Sequence, residues 1–86
     1  MPTICSFYGI AIRMYFDEHP RPHFHAYSVG DDVAISIDTL EVIEGRLPRR
    51  ALALVLEWAS EHRDELRENW RLAEAHGKLH KIDPLI

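Results

Sequence analysis

Apolar residues occupy every second position along much of the first half of the chain. The extended segments defined in this way are residues 3–7, 10–16, 23–29, 33–38 and 39–45. Within residues 10–16, for example, Arg13 and Tyr15 lie on the face opposite the apolar one. Turn signals such as Gly30 separate the segments. The pattern predicts an antiparallel meander of three to four strands.

The second half of the chain has the period of a helix instead. Pro48 suits the first turn of a helix, where its missing N–H is not needed. With Arg63 as the one break, apolar residues then recur at alternating spacings of four and three, at Leu52, Leu56, Ala59, Leu66, Trp70 and Ala73. This register favours one long or gently kinked helix that ends at Gly77. The alternative is a pair of helices with a bend near residues 62–64.

The apolar face of this helix is broad at first and then narrows. In the first half, Ala51, Val55 and Trp58 widen the face enough to cover a sheet. In the second half, Glu65 and Asn69 take the flanking positions. A narrow stripe is typical of a contact between helices, with a second chain as a candidate partner. The predicted partner-contact residues are Leu66, Trp70 and Ala73.

These elements predict an α+β fold in which an antiparallel sheet has helix packed on one face. At 86 residues the chain is expected to form one domain. Its parts are a sheet half at residues 3–45, a helical half at residues 48–76 and a C-terminal tail at residues 77–86. The apolar residues of the tail predict that it docks back onto the body. Because so small a core is marginal, we expect a second small protein or a second copy of the chain as partner.

Composition excludes several classes of protein. With 47% hydrophobic and 28% charged residues, the chain has the balance of a folded domain. The net charge of −4 is spread evenly without a basic block, so charge does not indicate RNA binding. No apolar run approaches the about 20 residues that span a membrane, and no secretory signal is visible. The single cysteine, Cys5, excludes an internal disulfide, and we expect a cytoplasmic protein.

Three of the six histidines lie within the seven residues from His19 to His25. On a strand, His23 and His25 point to the same face about 7 Å apart, and His19 is able to fold over the intervening prolines. Such a pair is a recurring start of a zinc, iron or nickel site. The spacing therefore supports a divalent metal site, with zinc or nickel as the ion, at His19, His23 and His25. No other cofactor is indicated.

The same histidines also suit acid–base chemistry, since imidazole titrates near neutral pH. In a phosphodiester or acyl transfer site, Arg21 would stabilise the negative charge that develops beside His23 and His25. The structural alternative is a rigid start to a strand, in which the imidazoles hydrogen bond to neighbouring backbone or contact a partner. All three interpretations stay open at the level of sequence.

Three arginines surround the predicted start of the helix, at Arg46, Arg49 and Arg50. The helix dipole disfavours cations at this end, so their presence suggests a compensating role. Free N–H groups at a helix N-terminus together with guanidinium groups favour a phosphate or a carboxylate. The structural alternative is that Arg49 and Arg50 pair with carboxylates nearby in sequence, at Asp38, Glu41 or Glu44.

Three groups of residues together resemble a known family. They are Phe7-Tyr8-Gly9-Ile10 with Ile12 to Phe16, Pro22-His23-Phe24-His25, and Leu47 to Leu52 with Glu57-Trp58-Ala59 and Asn69-Trp70. In this combination the chain resembles, over nearly its whole length, a small bacterial family of uncharacterised proteins, domain of unknown function number 4160. The resemblance implies a place in paired small-gene cassettes, and so a toxin–antitoxin-like module. It implies no established activity.

We therefore favour a protein-interaction subunit of a two-gene toxin–antitoxin-like module. One alternative is an enzyme, a ribonuclease-like toxin in which His23 or His25 is the acid or base and Arg49 and Arg50 hold phosphate. The acidic composition argues against it, because RNA-binding surfaces are usually basic. The other alternative is a histidine-rich metal-binding domain.

Overall fold

A computed structural model describes residues 3–16 and 21–86, which form five strands followed by two helices. The strands are β1 (Thr3–Phe7), β2 (Ile10–Arg13), β3 (His23–Ser28), β4 (Asp31–Ser36) and β5 (Val42–Gly45). The helices are α1 (Arg49–Glu61) and α2 (Arg63–Glu74). Neighbouring strands are antiparallel in the order β1-β2-β3-β4-β5, so the predicted α+β meander is confirmed.

The prediction of three to four strands is too low, because both edge strands are short and irregular. The β1–β2 pairing shifts register between Thr3 and Cys5, and as a result Ile4 and Cys5 are both buried although they are adjacent. The β4–β5 pairing shifts in the same way between Ala34 and Ile35. A bulge of this kind places an extra residue in one strand. It therefore interrupts the alternation of inward and outward side chains from which strands are predicted.

Two-residue turns close the two hairpins at the same end of the sheet. Phe7 pairs with Ile10 around Tyr8-Gly9, and Ser28 pairs with Asp31 around Val29-Gly30. All four central residues have positive φ, which is the combination that type I′ hairpin turns require. Because the second turn begins at Val29, strand β4 already starts at Asp31, within the segment that the sequence assigned to the turn.

The helices cover one face of the sheet. Inward-facing residues of β2, β3 and β4 join the buried side chains of both helices in one core, whose fully buried members include Ile12, Phe24, Ile35, Val55, Trp58 and Leu66. The Trp58 ring centroid lies 5.6 Å from that of Phe7 and 6.1 Å from that of Phe24, so α1 rests on the centre of the sheet. Neither α1 nor α2 is long and apolar enough to cross a bilayer.

The expected single helix is in fact two, with His62 between them. His62 has a non-helical backbone (φ −125°, ψ 24°) and serves as C-cap of α1 and N-cap of α2. Its Nδ1 lies 2.6 Å from Glu65 Oε1, and Asp64 and Glu65 complement the dipole in the first turn of α2. Because the apolar spacing continues across this boundary, the sequence does not reveal that a second helix begins there. The boundary coincides with Arg63, the one break in the apolar spacing.

Helix α2 also ends earlier than the sequence predicts. His76, and not Gly77, takes the left-handed conformation after the helix, with φ 57°. The His76 N–H donates to the Ala73 carbonyl at 3.1 Å, and the Gly77 N–H donates to the Leu72 carbonyl at 2.8 Å. This is the hydrogen-bond pattern of a Schellman motif, with Gly77 one residue beyond the usual glycine position.

The C-terminal tail packs against the body, and α2 holds it there. Ile82 is buried, and its N–H donates to the carbonyl of Ile4 in edge strand β1 at 2.9 Å. Asn69 is fully buried and exchanges two hydrogen bonds with the backbone of His80. The Trp58 indole donates to the Asp83 carbonyl at 2.7 Å. Tail residues therefore take up the outer edge of β1.

The predicted partner-contact residues lie inside the domain. Leu66 is 0% exposed and Trp70 and Ala73 are each 6% exposed, because the sheet and the tail cover this face of α2. The narrow stripe thus contacts the chain's own core. These three side chains are therefore buried within the chain itself.

Candidate functional site

The face of the sheet opposite the helices carries a set of polar and aromatic side chains. Directly paired residues of antiparallel strands point to the same side, so the pairing register identifies which residues share this face. One row across the sheet consists of Arg13, His25, Ala34 and Glu44. The neighbouring row consists of Ala11, Tyr27 and Asp32. We call the surface of these two rows, with the side chains stacked on it, the open face. His23, one row further along β3, is not part of it, because the ring of Trp70 from α2 lies against His23.

Aromatic stacking orders the open face. The rings of Tyr15 and His25 are nearly parallel, with centroids 4.9 Å apart and an interplanar angle of 13°. Tyr27 continues the series, 6.3 Å from His25 at 22°. The Arg13 guanidinium carbon lies 4.4 Å from the centroid of the Tyr27 ring, within the range of a cation–π contact. These contacts hold three rings and one guanidinium in place on the sheet surface.

A concavity of about 500 Å³ opens beside these rings. Its lining residues are Tyr15, His25, Tyr27, Asp32, Ala34, Glu44 and Gly45. Ala34 is the small member of its row, so the row dips between His25 and Glu44. Gly45 continues the depression, and no other residue fits there. It has φ 77°, and a Cβ at this position would lie 2.4 Å from the Asp32 carbonyl oxygen.

His23 and His25 are adjacent but have different surroundings. Their ring centroids are 5.2 Å apart, and only His25 lines the concavity. His23 is 3% exposed, with its ring 5.1 Å from that of Trp70. Its Nδ1 donates to the Arg21 carbonyl at 2.8 Å, which fixes the proton on that nitrogen. The Arg21 carbonyl thereby fixes the orientation of the His23 ring.

The predicted metal ligands are only partly covered by the structure. His19 lies outside the described residues. Across residues 3–16 and 21–86, no three His, Cys, Asp or Glu side chains form a group able to hold a metal ion. His23 and His25 are the two members of the predicted set that the structure brings together.

The arginines at the start of α1 do not join the histidines in the concavity. Arg46, Arg49 and Arg50 are exposed, and none of them is among its lining residues. Within the described ranges, none of the three forms an ion pair with a carboxylate. Asp38, one of their expected partners, instead lies 3.7 Å from the Arg67 side chain. The N-cap, Pro48, supplies no side-chain hydrogen bond to the helix.

Sequence reasoning singled out His25 but missed most of its neighbours. The alternation of residues 10–16 predicts Arg13 and Tyr15 on the face opposite the apolar one, and Tyr27 has the same parity as His25 along β3. Period-two alternation was therefore sufficient to find these three. Asp32 and Glu44 could not be found in this way, because their proximity depends on the pairing register and on the bulge in β5.

The fold and the site define a small α+β domain in which helices cover one side of a sheet and the other side presents a concave, aromatic and acidic surface. The chain belongs to the family described as domain of unknown function DUF4160, which matches residues 9–71. The matched range begins in the first hairpin turn and ends within α2, and so includes every residue of the concavity. Comparisons with curated proteins and with solved structures gave no match.

Proposed function

We propose that this protein is a binding module, the interaction subunit of a two-protein, toxin–antitoxin-like pair, and that it holds its partner on the open face of the sheet. The observation that carries the proposal is the ordered aromatic cluster of Tyr15, His25 and Tyr27 beside a concavity on that face. The helical side of the sheet is occupied by the chain's own core. Within residues 3–16 and 21–86, no helix or strand covers the two rows of the open face, which supports its assignment as the partner-binding side.

The composition of the open face supports contact with another protein. An antiparallel sheet with one side in water usually alternates apolar residues with small or charged polar ones. Here the outward positions hold two tyrosines, a histidine and an arginine, and tyrosine and arginine are enriched where binding energy concentrates at interfaces. Their mutual stacking restricts the side chains before a partner arrives. Less conformational entropy is then lost on binding.

A protein partner fits this surface better than a nucleic acid. Sheets that bind single strands also present aromatic rings, but they combine them with a positively charged groove along the backbone. Here Asp32 and Glu44 border the rings, and the chain carries a net charge of −4. These charges repel phosphates. The ribonuclease-like and metal-binding alternatives stay predictions. No feature of the described concavity favours either of them over a binding module.

The test measures affinity for the second small protein of the gene pair by isothermal titration calorimetry. Tyr15→Ala and Tyr27→Ala each remove one ring from the open face, and we expect each to weaken binding by about tenfold or more, as interface anchors do. The matched control is Tyr8→Ala, which removes the chain's third tyrosine, an exposed residue outside the concavity. Circular dichroism verifies that all variants are folded. Wild-type affinity in both open-face variants would refute the proposal.

A further inference from the structure

We propose that the concavity receives a basic side chain, lysine or arginine, from the partner protein. The inference rests on the proposed function and adds the chemistry of the contact. Its basis is the juxtaposition of a wall of aromatic rings with two carboxylates across a floor of small residues. The rings belong to Tyr15, His25 and Tyr27, and the carboxylates to Asp32 and Glu44.

The dimensions of the concavity follow from the strand register. His25, Ala34 and Glu44 lie in one row on three consecutive strands, so His25 and Glu44 are two strand spacings apart, or about 10 Å. Only the methyl group of Ala34 lies between them. The row therefore forms a slot with an imidazole on one side and a carboxylate on the other. An extended methylene stem fits along such a slot, and lysine and arginine side chains have that stem.

The charges around the slot favour a cation at its end. Asp32 and Glu44 are both exposed, and neither forms an ion pair within the part of the chain that the structure describes. Asp32 is the direct cross-strand partner of Tyr27, so its carboxylate lies beside the aromatic rings. A cation placed at the end of the slot gains from the two carboxylates, which attract it.

Other occupants fit less well. An acidic or phosphorylated side chain would meet two carboxylates of like charge. A purely apolar side chain would remove water from those carboxylates without giving them a partner, which is unfavourable. Arg13 does not take the cation's place, because its guanidinium group stacks on Tyr27 and Arg13 is not among the lining residues.

The first experiment uses simple probes and the complete chain. N-acetyl-arginine amide and N-acetyl-lysine amide are titrated into isotopically labelled protein, with N-acetyl-norleucine amide as the uncharged probe of similar stem. We expect saturable changes in amide chemical shift from the two basic probes alone, at His25, Tyr27, Asp32, Ala34 and Glu44. Equal shifts from the norleucine probe, or none from the basic probes, would overturn the inference. Tighter binding of a short single-stranded oligonucleotide at the same residues would overturn it as well.

The second experiment separates this inference from the proposed function. The double variant Asp32→Asn/Glu44→Gln removes both carboxylates and keeps the shape of the side chains. The control, Glu57→Gln/Glu61→Gln, changes net charge equally on an exposed part of α1. We expect the first double variant, and not the control, to lose the response to basic probes and to bind the partner protein about tenfold more weakly.

The outcomes are distinguishable. If Tyr15→Ala and Tyr27→Ala weaken partner binding while Asp32→Asn/Glu44→Gln retains wild-type affinity, the binding face is right and the basic anchor is wrong. If the two tyrosine variants also bind the partner at wild-type affinity, the proposed function itself fails.

Discussion

Replacement of Asn69 by alanine tests how the tail is held on the domain. Asn69 is 0% exposed, and its amide group contacts the backbone of His80 twice. Its Oδ1 accepts from the His80 N–H at 2.8 Å, and its Nδ2 donates to the His80 carbonyl at 2.9 Å. Asn69→Ala removes both bonds and leaves two backbone groups of the tail without these partners.

The expected magnitude follows from these two bonds. A hydrogen bond contributes about 1 kcal/mol to stability, and a buried group left without its partner costs about 1–3 kcal/mol. Partial release of the tail to water limits the second contribution, so we expect Asn69→Ala to lower the free energy of unfolding by about 2–4 kcal/mol. In a domain of this size the melting temperature should fall by about 10–25 °C. This change is a large share of the free energy of unfolding of a typical domain, which is about 5–15 kcal/mol.

Urea unfolding followed by circular dichroism measures the change, with Glu74→Ala, an exposed position of α2, as the control. Amide hydrogen exchange at Ile82 provides the second measurement, since its N–H bond to the Ile4 carbonyl depends on the docked tail. We expect faster exchange at Ile82 in Asn69→Ala and wild-type behaviour in Glu74→Ala. A change in unfolding free energy below about 0.5 kcal/mol, the usual range for surface substitutions, would refute this account of the tail.

Three further predictions concern other parts of the structure. Val29→Asn should raise the free energy of unfolding, measured by urea titration, by about 1 kcal/mol, because Val29 is a β-branched residue at φ 27° in a turn type that prefers Asn-Gly. A loss of stability would contradict this prediction. Burial raises the pKa of the Cys5 thiol. A thiol reagent at pH 8 should therefore label the folded protein far more slowly than the urea-unfolded protein. Equal labelling rates would contradict the burial of Cys5. The hydrogen bond from Arg71 lowers the pKa of Glu68. Any stabilisation by this exposed pair should therefore be present above the ordinary carboxylate pKa and disappear as the pH falls through the lowered pKa. A difference in the free energy of unfolding between wild type and Arg71→Gln that widened in acid would contradict this prediction.

Much of the fold was accessible from the sequence because its central strands obey a simple period. The alternation around Ile12 and Ile35 reflects burial on one side only, and this is why the meander and its inward face could be predicted. The boundary between α1 and α2 was concealed because apolar spacing continues across His62. The contact that buries Trp70 could not be predicted either, since its ring lies against that of His23 on β3, which is far away in sequence.

The candidate site was predictable only in part. Parity along one strand placed His23 and His25 on the same face, but it could not tell that the Trp70 ring closes over His23 and leaves His25 on the concavity. Asp32 and Glu44 are twelve residues apart in sequence and meet only through strand pairing with a bulge. Side chains on one strand are therefore within reach of sequence reasoning, whereas a surface assembled from several strands requires the register.

The central claim is that the open face of the sheet is the partner-binding surface. The most direct measurement is an amide chemical-shift map of the labelled protein titrated with its proposed partner, the second small protein of the proposed gene pair. We predict that the largest perturbations fall on the open face, at Arg13, His25, Tyr27, Asp32 and Glu44. Perturbations confined to the exposed sides of α1 and α2, with these five resonances unmoved, would contradict the claim.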